Sequence, residues 1–195
     1  MAKLNKLIKV AIVFMQKPIL VIDCGTISLD KIMEMINEYE YKTVDMKNLD
    51  KVNFYQFSHI VITGSPHLLS KDKSLLDYFS FLKEVKIPVL GICFGLQLIA
   101  LTYGADIKNG KNTKKDVKIE FLKKDKLFSG LPSEIEFHEN HQERVSMPTE
   151  FIHLAKSEDS LVEAFKHKTK DIYGVQFHPE CSGEFGKIIF ENFLI

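Results

Sequence analysis

The run Ile87-Pro88-Val89-Leu90-Gly91-Ile92-Cys93-Phe94-Gly95-Leu96-Gln97 carries the chain from one kind of structure into another. Ile87–Ile92 is apolar without alternation, as a strand covered on both faces requires. Phe94–Tyr103 has helical character and is closed by Gly104, a residue suited to a helix C-terminus. A strand that turns sharply into a helix, with glycines two positions either side of Cys93, is the cysteine form of a nucleophile elbow. The glycines leave room for the backbone to fold tightly. Cys93 then stands at a helix N-terminus, where unpaired N–H groups and the helix dipole favour a thiolate. A lone cysteine in an apolar stretch is more often packing, so the elbow gains its meaning from what accompanies it.

Working outward, the first half alternates short apolar runs with amphipathic stretches. Ile8–Phe14 and Ile19–Ile22 are rich in Val and Ile and read as strands. Ile27–Tyr39 carries apolar residues at 27, 29, 32, 33, 35 and 36, a helical spacing. Ile60–Ile62 is a short strand ended by Thr63-Gly64-Ser65-Pro66, a turn cluster. Ser74–Val85 reads as a helix. This β-α-β-α order predicts a parallel sheet with right-handed crossovers. The second half differs. Lys108–Lys118 is polar and lysine-rich, a loop or hairpin. Strand-like pieces follow at Val117–Phe121, Glu134–Phe137, Phe151–Leu154, Leu161–Phe165 and Ile172–Phe177, and Glu184–Phe193 is a final helix. The expectation is an α/β fold. Its sheet is open, mostly parallel and flanked by helices, with extra antiparallel strands in the second half. No Pro/Gly/Ser linker divides residues 1–195, which read as one domain.

Composition narrows the function. Of 195 residues, 45% are hydrophobic and 27% charged, ordinary for a globular protein. Lys and Arg number 26 against 26 Asp and Glu, so the chain as a whole has no electrostatic claim on nucleic acid or an anionic membrane. Cys24, Cys93 and Cys181 are too few and too scattered for a disulfide framework or a zinc site, and their odd count fits free thiols in a reducing compartment. No apolar run approaches the roughly 20 residues that span a bilayer. Leu7–Met15 follows lysines but runs into Gln16-Lys17-Pro18 with no small-residue cleavage site, so the protein is expected to be cytoplasmic.

Two further constellations stand beside the elbow. In Gly174-Val175-Gln176-Phe177-His178-Pro179-Glu180, a strand delivers His178 to its end and Pro179 stops the ladder. Glu180 is then close enough to turn back onto the imidazole, as a base and its orienting carboxylate require. Gly64 lies at the carboxyl end of a strand, the edge where α/β sheets gather their sites, and a glycine turn there can aim a backbone N–H at a developing oxyanion.

Glycine turn, cysteine elbow and His-x-Glu occur in that order, with Cys93 and His178 85 residues apart. In this the chain strongly resembles the class I (triad) glutamine amidotransferases, from about Ile19 to the C-terminus, a flavodoxin-like fold. The resemblance implies that Cys93 attacks the glutamine carboxamide, that His178 serves as acid and base, and that Glu180 orients it. It implies oxyanion donors on the backbone of Phe94 and Gly64, and substrate contacts from Ser65, Gln97 and His141. His138 is a weaker candidate base. It implies glutamine as substrate and no metal or organic cofactor. With no P-loop or other nucleotide loop in the sequence, it also implies an ATP-dependent synthetase partner. Ser157–Gly174 looks most like the glutaminase subunit of two-subunit GMP synthetases. That branch shows Gly-Gly where this chain has Gly64-Ser65, and Asp where it has Glu143. A free-standing hydrolase of glutamine or a γ-glutamyl compound is the second reading, and a non-catalytic regulatory module the third.

Overall fold

Short runs of β-branched and leucine residues supply the parallel half of the sheet. The computed structural model describes residues 17–195, so the strand expected at Ile8–Phe14 lies outside the described residues. The strands are β1 (Ile19–Asp23), β2 (Tyr41–Asp45), β3 (Ile60–Ile62), β4 (Val89–Ile92), β5 (Ile107–Phe121), β6 (Glu134–Val145), β7 (Phe151–Lys156), β8 (Ala164–His167) and β9 (Ile172–Val175). They form one sheet in the order β2-β1-β3-β4-β9-β8-β7-β5-β6. The first five are parallel, and the rest antiparallel. The mixed α/β architecture agrees with the reading from sequence.

The period of two sorts the strand residues between two cores. Ile19, Val21, Leu90 and Ile92 pack with Ile32 and Ile36 of α1 (Leu29–Met35) and its C-terminal end, and with Ile189, Phe190 and Phe193 of α3 (Gly183–Leu194). Leu20, Ile22, Ile60, Ile62 and Val89 pack with Leu96 and Ile99 of α2 (Phe94–Thr102) and with Phe79 and Leu82. Each such side chain taken from water contributes about 1.5–3 kcal/mol, which is why these strands carry no polar face.

Several local expectations change. The helix expected over Ser74–Val85 is a 3-10 segment, Lys73–Lys83, interrupted at Phe79. The helix expected at Ile27–Tyr39 covers only Leu29–Met35, and Ile27 is 93% exposed. β2 has no counterpart in the sequence reading, because Tyr41-Lys42-Thr43-Val44-Asp45 is an exposed edge with no apolar run. Lys108–Lys118 belongs to β5, paired along β6 with an irregularity between Asn109 and Thr113. Only Thr113 and Val117 of that stretch are buried, which is why it reads as solvated. Leu161 is exposed and precedes β8 instead of joining it. No helix among the described residues is long and apolar enough to cross a membrane.

Candidate active site

β4 ends at Ile92 and α2 begins at Phe94, so Cys93 alone makes the turn. Its φ of 51° is the one positive value at a non-glycine residue among the described residues. Such a backbone costs roughly 1–3 kcal/mol and persists only where its surroundings enforce it. Here the Cys93 N–H donates to the Val175 carbonyl at 2.8 Å, and the Cys93 carbonyl accepts from the Gln97 N–H at 3.1 Å. The flanking glycines serve close packing. A Cβ on Gly91 would lie 2.5 Å from the Gly95 carbonyl carbon, and one on Gly95 would lie 2.5 Å from the Ile62 carbonyl oxygen.

Past β9 the chain reaches His178, and Pro179 opens a single 3-10 turn, Pro179–Cys181. The turn brings the Glu180 carboxylate back to accept from His178 Nδ1 at 2.8 Å. Glu180 is 2% exposed. His178 Nε2 has no hydrogen-bond partner among the described residues. Gly64 closes the third side. A Cβ there would lie 3.0 Å from His178 Cε1 and 3.8 Å from Cys93 Cβ. The N–H groups of Gly64 and Phe94 find no acceptor among the described residues, the second because it opens a helix. All three constellations of the sequence thus meet, in a cleft of about 430 Å³ lined by Cys93, His178, Ser65, Gln97 and His141. His138 also lines it, with Nδ1 turned away to the Asp116 carboxylate at 3.0 Å.

Burial alone would pull the His178 imidazole down. Its interactions with Cys93 and with the Glu180 carboxylate outweigh it and hold the group well above the ordinary histidine range. The stability this contributes is fully present below about pH 6.5, the unfolded value, and is lost as pH rises through the higher folded value. NMR titration of His178 is expected to show a midpoint above 6.5, and Cys93→Ser to bring it down. A midpoint unmoved by that substitution would refute Cys93 as the cause.

Residues 20–195 match the family described as glutamine amidotransferase class-I. The chain belongs to that family. It is 39% identical to the glutamine-hydrolyzing GMP synthase subunit of Methanosarcina barkeri over 138 residues, 69% of this chain and 71% of that one. It is 38% identical to the protein of the same name in Pyrococcus abyssi over 151 residues, 74% and 78% of the two chains. A crystal structure from Thermoplasma acidophilum, named as a candidate GMP synthase subunit, superposes with a TM-score of 0.84 at 30% identity, covering 92% of each chain. This chain is accordingly a glutamine amidotransferase.

The remaining contacts show how the amidotransferase cleft is held. Ser65 Oγ donates to the Cys24 carbonyl at 2.6 Å and accepts from the His67 N–H, so it fastens the turn. The Gln97 amide donates to the Glu143 carbonyl at 3.1 Å and to the Gln176 side-chain oxygen at 3.3 Å. His141 Nδ1 donates to that same Glu143 carbonyl at 3.0 Å. The Glu143 carboxylate, 1% exposed, accepts from the N–H groups of Leu69 and Ser70, both at 2.8 Å. It thereby ties β6 to the loop that follows the Gly64 turn. Glu143→Gln removes the charge and one acceptor oxygen. We expect a loss of about 2 kcal/mol in urea unfolding, the range for buried hydrogen bonds to a charged group. An unchanged midpoint would mean that this clamp holds nothing.

Sequence reasoning assigned no role to Gln176, Glu139 or Glu163. Gln176 lies two residues before His178, and the period of two was the available signal. Glu139 and His141 Nε2 share a hydrogen bond at 2.8 Å, and Ser157 Oγ donates to Glu163 at 2.7 Å. Burial first, then the charge of Glu139, holds the Glu163 carboxyl well above the usual carboxylate range. The ligand atoms of Glu139, His141 and Glu163 lie within 4.8 Å of one another. Yet 2.8 Å between imidazole and carboxylate is a hydrogen bond, shorter than the roughly 3.3 Å between two ligands on tetrahedral zinc. The trio therefore reads as a proton-bound support beneath His141.

Proposed function

We propose that this chain hydrolyses glutamine through a γ-glutamyl thioester on Cys93 and passes the ammonia to an ATP-dependent synthetase partner. The observation that carries this reading is the strained Cys93 elbow beside a His178 Nε2 that finds no hydrogen-bond partner among the described residues, on an imidazole oriented by Glu180 at 2.8 Å. The thiolate attacks the carboxamide carbon, and the N–H groups of Gly64 and Phe94 hold the oxyanion. The imidazolium gives its Nε2 proton to the departing ammonia. His178 then takes a proton from water, which attacks the thioester, and glutamate leaves. Ser65, Gln97 and His141 line the substrate cleft. Of these, Ser65 and His141 act mainly by holding its walls.

The relatives named as glutamine-hydrolyzing GMP synthase subunits support a synthetase that aminates a purine nucleotide, XMP to GMP, as the ammonia acceptor. We further take residues 1–195 as one domain acting in the cytoplasm, with no nucleic-acid partner and no cofactor of its own. The test is glutamate release by the purified chain, alone and with a GMP-forming synthetase, ATP and XMP. Turnover that rises about tenfold or more with the synthetase supports the coupled reading. Full activity alone, unchanged by any synthetase, would replace it with the free-standing hydrolase. A folded chain inert in both would indicate the regulatory module.

A further inference from the structure

We infer that Gln176 presents the Cys93 sulfur for attack, at the end of a directional relay of side-chain amides that begins at Gln97. The inference rests on Cys93 being the nucleophile, as proposed above. The direction of the relay follows from its first member. The Glu143 carbonyl can only accept, so the Gln97 atom 3.1 Å away is its NH2. That NH2 spends its second hydrogen on the Gln176 side-chain oxygen at 3.3 Å. The far end of Gln176 is then necessarily its own NH2, and it points at Cys93 Sγ from 3.4 Å. Each amide is oriented by the one before it, starting from a group that has no choice.

Burial makes the relay matter. Gln176 is fully buried and Gln97 is 3% exposed, so water does not compete for these hydrogens. The Gln176 backbone is itself pinned, its N–H donating to the Glu163 carbonyl at 2.8 Å. The sulfur has two neighbours of opposite kind. The Asn140 carbonyl, 3.9 Å away, can take the S–H of the neutral thiol. The Gln176 N–H can only donate, and a donor aimed at sulfur favours the anion. The pair thus gives each state of Cys93 its own partner, and Gln176 holds the reactive one facing His178. Gln97 is coupled to the nucleophile by the same route, and both of its N–H hydrogens are committed before any substrate enters.

The test is the rate at which iodoacetamide alkylates Cys93, read by mass spectrometry on the Cys93 peptide of the whole chain. It needs no synthetase and no turnover. Gln176→Met keeps the length and removes the donor, and alkylation at pH 7 is expected to slow about tenfold, the loss of one hydrogen bond to a charged atom. Gln176→Glu should be slower still at pH 7, and its rate relative to wild type at the same pH should recover toward acid pH, where the new carboxyl regains a proton to donate. Gln97→Met leaves Gln176 free to rotate and should slow alkylation about threefold. In turnover, kcat should fall for Gln176→Met with KM for glutamine little changed. A folded Gln176→Met chain alkylated at the wild-type rate would overturn the relay. Should that variant not fold, wild-type alkylation of Gln97→Met would overturn it equally. Glutamine hydrolysis surviving in Cys93→Ala is a different result, and it would remove the nucleophile reading itself.

Discussion

Cys93→Ala is expected to abolish glutamine hydrolysis, lowering kcat by roughly 10⁴-fold or more, while the protein folds normally. The covalent step proposed for Cys93 has no substitute in the cleft. The other thiol there, Cys181, is partly exposed and sits against Ser28 Oγ and Lys31 Nζ, both 3.7 Å from its sulfur. Stability should change little, because alanine keeps the strained backbone and removes one small, buried sulfur. Glycine separates strain from chemistry. Cys93→Gly should be equally inactive yet gain about 1 kcal/mol, because glycine adopts a φ of 51° without penalty. Glutamate release under saturating glutamine, with thermal unfolding of both variants, checks the pair. Cys93→Ala activity near wild type would remove the nucleophile assignment. A Cys93→Gly protein less stable than Cys93→Ala would mean that the turn stores no strain.

The parallel half of the fold was legible because its strands are buried on both faces and its glycines mark turns. Ile19–Ile22, Ile60–Ile62 and Ile87–Ile92 could hardly be anything else. β2 escaped because an edge strand needs no apolar residues once a neighbour supplies its hydrogen bonds. Of β5 only Val117–Phe121 was read as a strand, because the lysines of the stretch before it are exposed and only the ladder to β6 extends the strand back to Ile107. The site was legible where chemistry demands a residue type at a fixed offset, as in Gly91–Gln97 and His178–Glu180. It was illegible where the work is done by contact across distant elements. Nothing in Asn140–Val145 announces that Glu143 grips Leu69 and Ser70, which stand more than 70 residues earlier. Gln176 stands inside its motif, but its amide acquires a direction only through Gln97 and Glu143, both remote in sequence.

Gly186→Ala is expected to be among the most damaging single-methyl additions in the chain, although helix propensity argues the reverse. In the interior of α3, alanine ordinarily gains about 1 kcal/mol over glycine. Here a Cβ would overlap the Pro179 carbonyl oxygen and lie 2.6 Å from its carbon. Both are backbone atoms, and no rotamer change relieves the contact. Either α3 or the 3-10 turn Pro179–Cys181 must retreat, at a cost of about 3 kcal/mol or more. The net loss should lower Tm by several degrees, at roughly 2–4 °C per kcal/mol for a chain of this size. The turn that retreats carries Glu180, and the His178 backbone is held on either side of it. The His178 N–H donates to the His138 carbonyl at 2.8 Å, and Ser182 Oγ donates to the His178 carbonyl at 2.7 Å. Displacing that turn by about an ångström should also cost about 10²-fold in kcat, the usual penalty for a misplaced catalytic group. Lys187→Ala, at an exposed position one residue further on, is the control and should leave both quantities unchanged. If Gly186→Ala proved more stable than the parent, the close approach of α3 to Pro179 would be wrong, and with it the route by which this helix fixes the His178–Glu180 pair.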